Sequence, residues 1–270
     1  MTIAIGADSA FDRLSGGSRT NVIDRWIYVF TAACLIAVVL TGFIPDSLVK
    51  LAAVHAGQRA PFPLVLHIHA VLMGSFLALL LGQSVLMATG RRAWHMQLGV
   101  AGLVLTPLVV ITGIVLAPTI YHGAWNAALA APAAAKPQLQ ALLAFLENVL
   151  LLQLRSGIMF SICMWIALGA RRRDPGLHKR MILLAVAAVI SAATDRISWL
   201  PSNAPFTPLS ADLYSLLAVS PMFAWDLVRN RGIHRAYLLF MAFYLPVSVP
   251  VYALWNTPLW HATARHIMGV

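Results

Sequence analysis

Acidic side chains are scarce in this sequence. Nine Asp and Glu stand against nineteen Lys and Arg in 270 residues, and charged residues together reach only 10%. A soluble domain carries about 25%, so a chain that is 60% hydrophobic cannot present a wet surface on every side. Cysteine is scarcer still. Cys34 and Cys163 both fall in apolar runs, where each reads as a small, polarisable hydrophobe rather than half of a disulfide or redox pair. The sequence has no H-E-x-x-H, no C-x-x-C, no histidines spaced three or four apart and no soluble-type hydrolase or kinase motif. Any metal or cofactor ligands would therefore have to converge from separate helices. No small-residue cleavage site follows the first apolar run, and Asp8, Asp12 and Asp24 lie among the arginines before it. No removed signal peptide is expected, and the first helix stays.

Long apolar runs are what the chain does have. Crossing about 30 Å of hydrocarbon takes roughly 20 residues of helix, and seven runs meet or approach that length: 26–44, 64–88, 96–117, 141–170, 181–199, 211–228 and 236–254. The sixth carries Asp212, Pro221 and Asp226 and has the weakest claim to span. The expected fold is an all-α integral membrane bundle of about seven transmembrane helices. It divides into an inner segment 1–25, the helical domain 26–254 and an outer tail 255–270, with loops at 45–63 and 118–140. The stretch "AALAAPAAAKPQ" in the second loop is low in complexity, suiting a mobile segment or a short interfacial helix.

The basic residues are not spread as nucleic-acid binding would require. They gather in alternate loops, around Arg13, Arg19 and Arg25, at Arg91 and Arg92, from Arg171 to Arg180, and from Arg229 to Arg235. With seven crossings all four groups fall on one face, so the positive-inside rule places the amino terminus inside and the carboxyl terminus outside. The location this implies is a bacterial inner membrane, the partner is the lipid bilayer, and oligomeric state is left open. Three of the basic loops, "GRRAWHMQLG", "RRRDPGLHKRMILL" and "RNRGIHRAYLL", repeat a pattern of arginine, histidine and helix. They put His95, His178 and His234 at equivalent starts of helical hairpins, a level where amphipathic side chains commonly sit.

Helical rise converts sequence into depth. His69 lies about 33 Å and His67 about 36 Å above Arg91, Arg155 about 24 Å above Arg171, and Asp195 about 22 Å above Arg180. Arg155 and Asp195 thus share a level, with Arg196 one step higher, and are expected to pair because an unpaired charge inside the bilayer costs about 2.5–3.5 kcal/mol. Glu147 lies above them with His67 and His69. Glu147, Leu151 and Arg155 share one helix face, and His69 shares another with Met73, Phe76, Leu80 and Gln83. His69 is therefore expected to point inward and His67 toward the rim. Polar residues of this kind can be mere glue between helices, but so many ionisable groups toward one side point to an outer polar site.

"LHIHAVLMGSFLALLLGQSVLMATGRRAWHMQLG", residues 66–99, resembles the helix-loop-helix of ascorbate-type transmembrane haem b cytochromes. A histidine opens one helix, and another opens the next after a basic loop. The resemblance implies haem b, with His69 and His95 as axial ligands to two haems on opposite sides and His178 as a further candidate. The chain departs from that family in the fourth and fifth helices, which offer only His178 and no outer histidine to pair with His69. Residues 64–199 also resemble small bacterial polytopic membrane proteins that carry no assigned activity, which implies no mechanism. Three readings follow: electron transfer through haem b or a metal; a transporter or binding protein whose outer cavity takes a small anionic or amphipathic ligand; and an accessory subunit of a membrane complex.

Overall fold

The structure is a computed structural model that describes Asp12, Leu14 and residues 21–270. Arg13, Arg19 and most of the expected inner segment lie outside the described residues. Among those described there is no strand. The helices are α1 (Val22–His55), α2 (Leu64–Ala88), α3 (Arg92–Ala130), α4 (Lys136–Ala170), α5 (Pro175–Val189), α6 (Ser191–Thr194), α7 (Leu209–Asn230), α8 (Arg235–Leu254) and α9 (Pro258–Met268). Six helical stretches are long and apolar enough to cross a membrane: α1, α2, α3, α4 with the short turn before it, α5 with α6, and α8. The seventh expected span, α7, forms over the expected length but is not apolar enough to be counted with these six by length and composition.

Local chemistry sets the helix ends. Asn21 accepts from the Asp24 amide at 2.8 Å and Asp24 accepts from the Asn21 amide at 2.9 Å, a reciprocal cap that satisfies two otherwise orphaned donors at the start of α1. Gly90, at φ 76°, supplies the left-handed residue that ends α2 just before Arg91 and Arg92. Asp174 caps α5 by accepting from Leu177 at 2.9 Å, and Pro175 follows at the first helical position. Thr257 and Gly269 bracket α9, which folds within the segment expected as a tail.

The expected outer loops 45–63 and 118–140 are largely helix. Helix α1 runs on to His55, and α3 runs through Pro107 and Pro118 to Ala130. Alanine has the highest intrinsic helix propensity, so the alanine-rich stretch continues α3 to Ala130; the chain then breaks at Ala131 and Pro132, and the short turn Ala133–Ala135 leads into α4. At 39 residues α3 is about 58 Å long, well beyond the hydrocarbon thickness, and α1 and α4 are nearly as long. The projecting ends of α3 and α4 carry a second apolar cluster with α9 that includes Tyr121, Leu151, Trp255, Trp260 and Met268.

The main core centres on α5. Of its apolar stretch 72% is buried, against 11% for α3 and 17% for α2, so α5 is the inner helix, with α1, α4, α7 and α8 around it. The α2–α3 hairpin stands at the periphery against α1 and α4. Contacts between loops bring the basic segments to one end: Arg229 reaches Asp24 at 2.7 Å, and Arg235 pairs with Asp174. We call this the basic end and the opposite one the far end.

Helices α1 and α6 touch backbone to backbone at Gly42. A Cβ there would stand 2.9 Å from the Ala193 carbonyl carbon and closer still to its oxygen, and neither helix can yield without moving its neighbours. Gly42→Ala is expected to cost about 1–3 kcal/mol, read as a lower midpoint of thermal unfolding in detergent. Gly82→Ala, where a Cβ meets nothing within 4 Å, should leave the midpoint unchanged.

Candidate functional site

Charges buried among helices must be paired, so the pairs mark where the fold has concentrated its polar chemistry. Besides the Asp24–Arg229 pair at the basic end, three clusters result among the described residues. The first lies between α4, α7 and α8. Arg155 on α4 is buried and sends Nη2 to Asp212 Oδ1 of α7 at 2.5 Å and Nη1 to Ser248 Oγ of α8 at 3.3 Å. Tyr244 donates to Asp212 Oδ1 at 2.8 Å and Tyr252 to Oδ2 at 2.7 Å. The Tyr244 ring lies 5.1 Å from the guanidinium carbon, a cation–π contact. Arg155 Nε is buried with no hydrogen-bond partner among the described residues. Outside this cluster an open groove of about 610 Å³ runs between α7 and α8. Asp212, Tyr244, Ser248 and Tyr252 line it beside the apolar Leu216, Met241, Leu245, Val249 and Ala253.

The second cluster sits at the basic end. Arg180 of α5 is fully buried and uses all five N–H donors. Nε and Nη2 donate to the two Asp226 oxygens at 2.6 Å each, Nη1 and Nη2 to Asp12 at 2.8 and 2.9 Å, and Nη1 also to the Gly176 carbonyl at 2.9 Å. Tyr237 of α8 donates to Asp226 at 2.5 Å. Lys179 donates to the Leu14 carbonyl at 2.6 Å and lies over the Tyr28 ring. His234 faces this cluster with Nε2 3.8 Å from Asp12, and its Nδ1 caps α8 by accepting from Ala236.

Burial, and next the neighbouring Arg180, push the His234 imidazole down to about 4, so it is neutral at neutral pH. An unfolded histidine takes up its proton near 6.5. The unfolded chain therefore binds more protons between these values, and stability falls as pH drops from about 6.5 to about 4. His234→Asn keeps a cap acceptor and removes the titration. It is expected to flatten that slope by at most about 3 kcal/mol, checked by comparing unfolding midpoints of both proteins at pH 7.5 and 4.5.

The third cluster closes the far end around the fully buried Glu147. Tyr121 of α3 donates to Oε1 at 2.9 Å, Arg265 of α9 donates to Oε1 at 2.8 Å, and His261 of α9 meets Oε2 at 2.6 Å. Trp260 donates to the Glu147 carbonyl at 2.7 Å. Glu147 thus fastens α9 to α4 and α3.

The residues singled out in the sequence distribute as follows. Glu147, Leu151 and Arg155 do share one buried face of α4, but Glu147 meets α9 rather than His67 or His69. The expected Arg155–Asp195 pair is replaced by Arg155–Asp212, because Asp195 falls beyond the end of α6 and stands exposed. Arg196 turns to Asp46 of α1 at 3.4 Å and to the Phe43 ring. His69 bonds Thr112 of α3 at 2.9 Å, while His67 is exposed against the edge of Phe62. The Gln83 side-chain amide, with its nitrogen and oxygen placed to suit its neighbours, donates to the His95 carbonyl at 3.1 Å and accepts from Gly99 at 3.0 Å, beside the His95 ring. His178 Nδ1 meets the Ala167 carbonyl at 2.8 Å.

Asp212, Tyr244, Ser248, Tyr252, Arg180, Asp226 and Tyr237 were not singled out as site residues, although a signal for them exists. Asp212 and Asp226 lie fourteen positions apart, on one face of α7, and Tyr237 and Tyr244 seven apart, on one face of α8. Each aspartate takes one of the two tyrosines and one buried arginine.

The residues fit the implied haem unevenly. His69 lies against α3 so closely that a methyl group on Gly113 would already touch its Cε1 at 3.5 Å, which leaves no slot for a macrocycle between His69 and α3. No histidine lines the α7–α8 groove. At His95 and His178 the donor chemistry fits better, since each ring has one nitrogen beside a protein partner, as ligating histidines do. Among the described residues no group of three or more His, Cys, Asp or Glu is placed to hold a metal ion. No protein family, curated protein or solved structure matches this chain.

Proposed function

We propose that this is a multi-pass membrane protein that binds a small amphipathic molecule, and carries it across or within the bilayer, at the Arg155–Asp212 cluster. The observation that carries the reading is a buried guanidinium–carboxylate pair, flanked by two phenols and a serine, behind a groove whose other walls are apolar. Pockets of this kind combine apolar lining with a few convergent polar groups. Helix α7 also suits movement. It is held near each end by an arginine from α4 or α5 and a tyrosine from α8, with Pro221 between the two clamps.

Because the α7 charges Asp212 and Asp226 are both paired inward, this helix can cross with the other six. Seven crossings would set the basic end inside and α9 on the outer side, in a bacterial inner membrane. The test is a thermal-shift screen of the purified protein in nanodiscs against single-chain amphiphiles. A ligand should raise the midpoint of the wild type but not of Ala253→Trp, which fills the groove without touching the ion pair. A flat response across the screen contradicts the reading.

A redox reading is favoured by one observation, that the His95 and His178 rings are each anchored through one nitrogen, by the Gln83 amide and by the Ala167 carbonyl. Haem b, when bound, would supply a one-electron centre there. A dithionite-reduced visible spectrum tests it: sharp bands that vanish in His178→Ala support it, and a colourless preparation ends it.

A further inference from the structure

Helices α7 and α8 follow one another in the chain but scarcely meet. Helix α7 packs on α1 and α5, and α8 on α4 and α5, so a seam is left between them, and the groove is part of that seam. Side chains bridge it at two levels, Tyr244 and Tyr252 donating to Asp212 and Tyr237 donating to Asp226. Toward the basic end the Phe223 ring of α7 meets the Tyr237 ring of α8 edge-on, with centroids 4.9 Å apart. Toward the far end Ala211 and Val251 are buried with Trp255 and Trp260 in the cluster that α9 completes. The seam is therefore shut above and below the groove. Its side is open: Leu216, Leu245 and Val249 stand 45%, 55% and 64% exposed among the described residues.

Helical rise sets the height of that opening. Counted from Arg235, Met241 lies about 9 Å and Tyr252 about 26 Å along α8, and counted from Arg229, Asp212 lies about 26 Å along α7. The opening thus fits within the roughly 30 Å of hydrocarbon that a bilayer provides. Its polar atoms converge near the far boundary, where both phenol hydroxyls meet Asp212, and Leu245 and Met241 line it nearer the basic end. A lipid of the leaflet at the far end presents the same order, with its polar group at the boundary and its chain beneath. A molecule dissolved in water would have to pass through lipid to reach this opening, whereas one dissolved in the bilayer meets it directly.

Resting on the binding reading above, we infer that the α7–α8 groove is a side port for a membrane lipid of the far-side leaflet. One acyl chain enters between the helices and lies along Leu216, Leu245 and Met241, while the polar group stays at the level of Asp212 and Tyr252. The ligand comes from the bilayer and not from water.

The experiment uses the full chain in phosphatidylcholine nanodiscs with two photoactivatable phosphatidylcholines titrated by mole fraction. One carries a diazirine near the ester of an acyl chain and the other near the chain end, and adducts are mapped by peptide mass spectrometry. Labelling of Leu245 and Val249 should saturate and fall at least five-fold in Ala253→Trp. Labelling of Val104 on the open face of α3, 57% exposed, should rise in proportion to the probe and ignore the substitution. The ester-side diazirine should favour Tyr252, and the chain-end diazirine Met241. Groove labelling that is absent, rises in proportion like that of Val104, survives Ala253→Trp or reverses the order of Tyr252 and Met241 overturns the inference. If single-chain amphiphiles then still raise the midpoint of the wild type and not that of Ala253→Trp, the binding reading stands; if that response is flat as well, both fall.

Discussion

Arg180→Ala is expected to abolish the folded protein, or to leave only a small aggregating fraction after detergent extraction. The side chain has no exposure to solvent, and its removal takes from Asp226, itself 1% exposed, the guanidinium that pairs with both of its oxygens. Breaking a buried ion pair by removing one partner costs about 3–5 kcal/mol, a large part of the stability of any domain. Lysine is no substitute. It keeps the charge but offers three donors from one nitrogen, and cannot span two carboxylates as the planar fork does. Arg180→Lys is therefore expected to fold with a clearly lowered melting temperature. Size-exclusion profiles and unfolding midpoints of the two variants check both statements, and a monodisperse, wild-type-like Arg180→Ala protein would refute the account of this cluster.

The second large effect lies at the candidate site. Asp212→Leu leaves the Arg155 guanidinium, 2% exposed, without a counter-ion and is expected to lose about 3–5 kcal/mol. The double variant Arg155→Leu/Asp212→Leu removes both charges and replaces them with side chains that suit the apolar surroundings. It should recover most of that loss, since a buried pair exchanged for hydrophobes is often neutral in stability. The midpoint of the double variant should therefore lie well above that of Asp212→Leu, with a coupling energy of about 2 kcal/mol or more. If the two losses simply add, Arg155 and Asp212 do not pair as described.

Much of the fold was legible because the bilayer constrains it. Hydrophobic run length located α2, α5 and α8, and the histidine spacing at 67 and 69 correctly divided an exposed side chain from one turned toward α3. The rise per residue also set Arg155 at the height of a candidate acidic partner. It could not choose its partner. The same arithmetic puts Asp212 about 26 Å above Arg229, level with Arg155, so height alone left Asp195 and Asp212 as equals. Rotation about the helix axis and the packing order around α5 decide between them, and neither is encoded in hydropathy. Asp212 and Asp226 weakened the case for the sixth span when read as charges facing lipid, whereas in the fold their inward pairing is what holds α7 in the bundle.

The ends of the long helices were less readable for a different reason. Beyond the length that a bilayer requires, the far ends of α3 and α4 are governed by helix propensity and by cover from α9, whose Trp260, Ala264 and Met268 form one buried face. That face matches the four-residue period of a packed helix, yet eleven residues beyond the last apolar run read as a tail when apolar length is the criterion. Glu147 was recognised as buried in the right face of α4, but its partners Arg265 and His261 lie on that short helix.

Native mass spectrometry of the protein purified from membranes tests the central claim most directly. The account predicts a wild-type chain that retains one small molecule after mild release from detergent, and an Ala253→Trp chain of the same stability that retains none. A bare wild-type chain, or an equal adduct on both proteins, would contradict it.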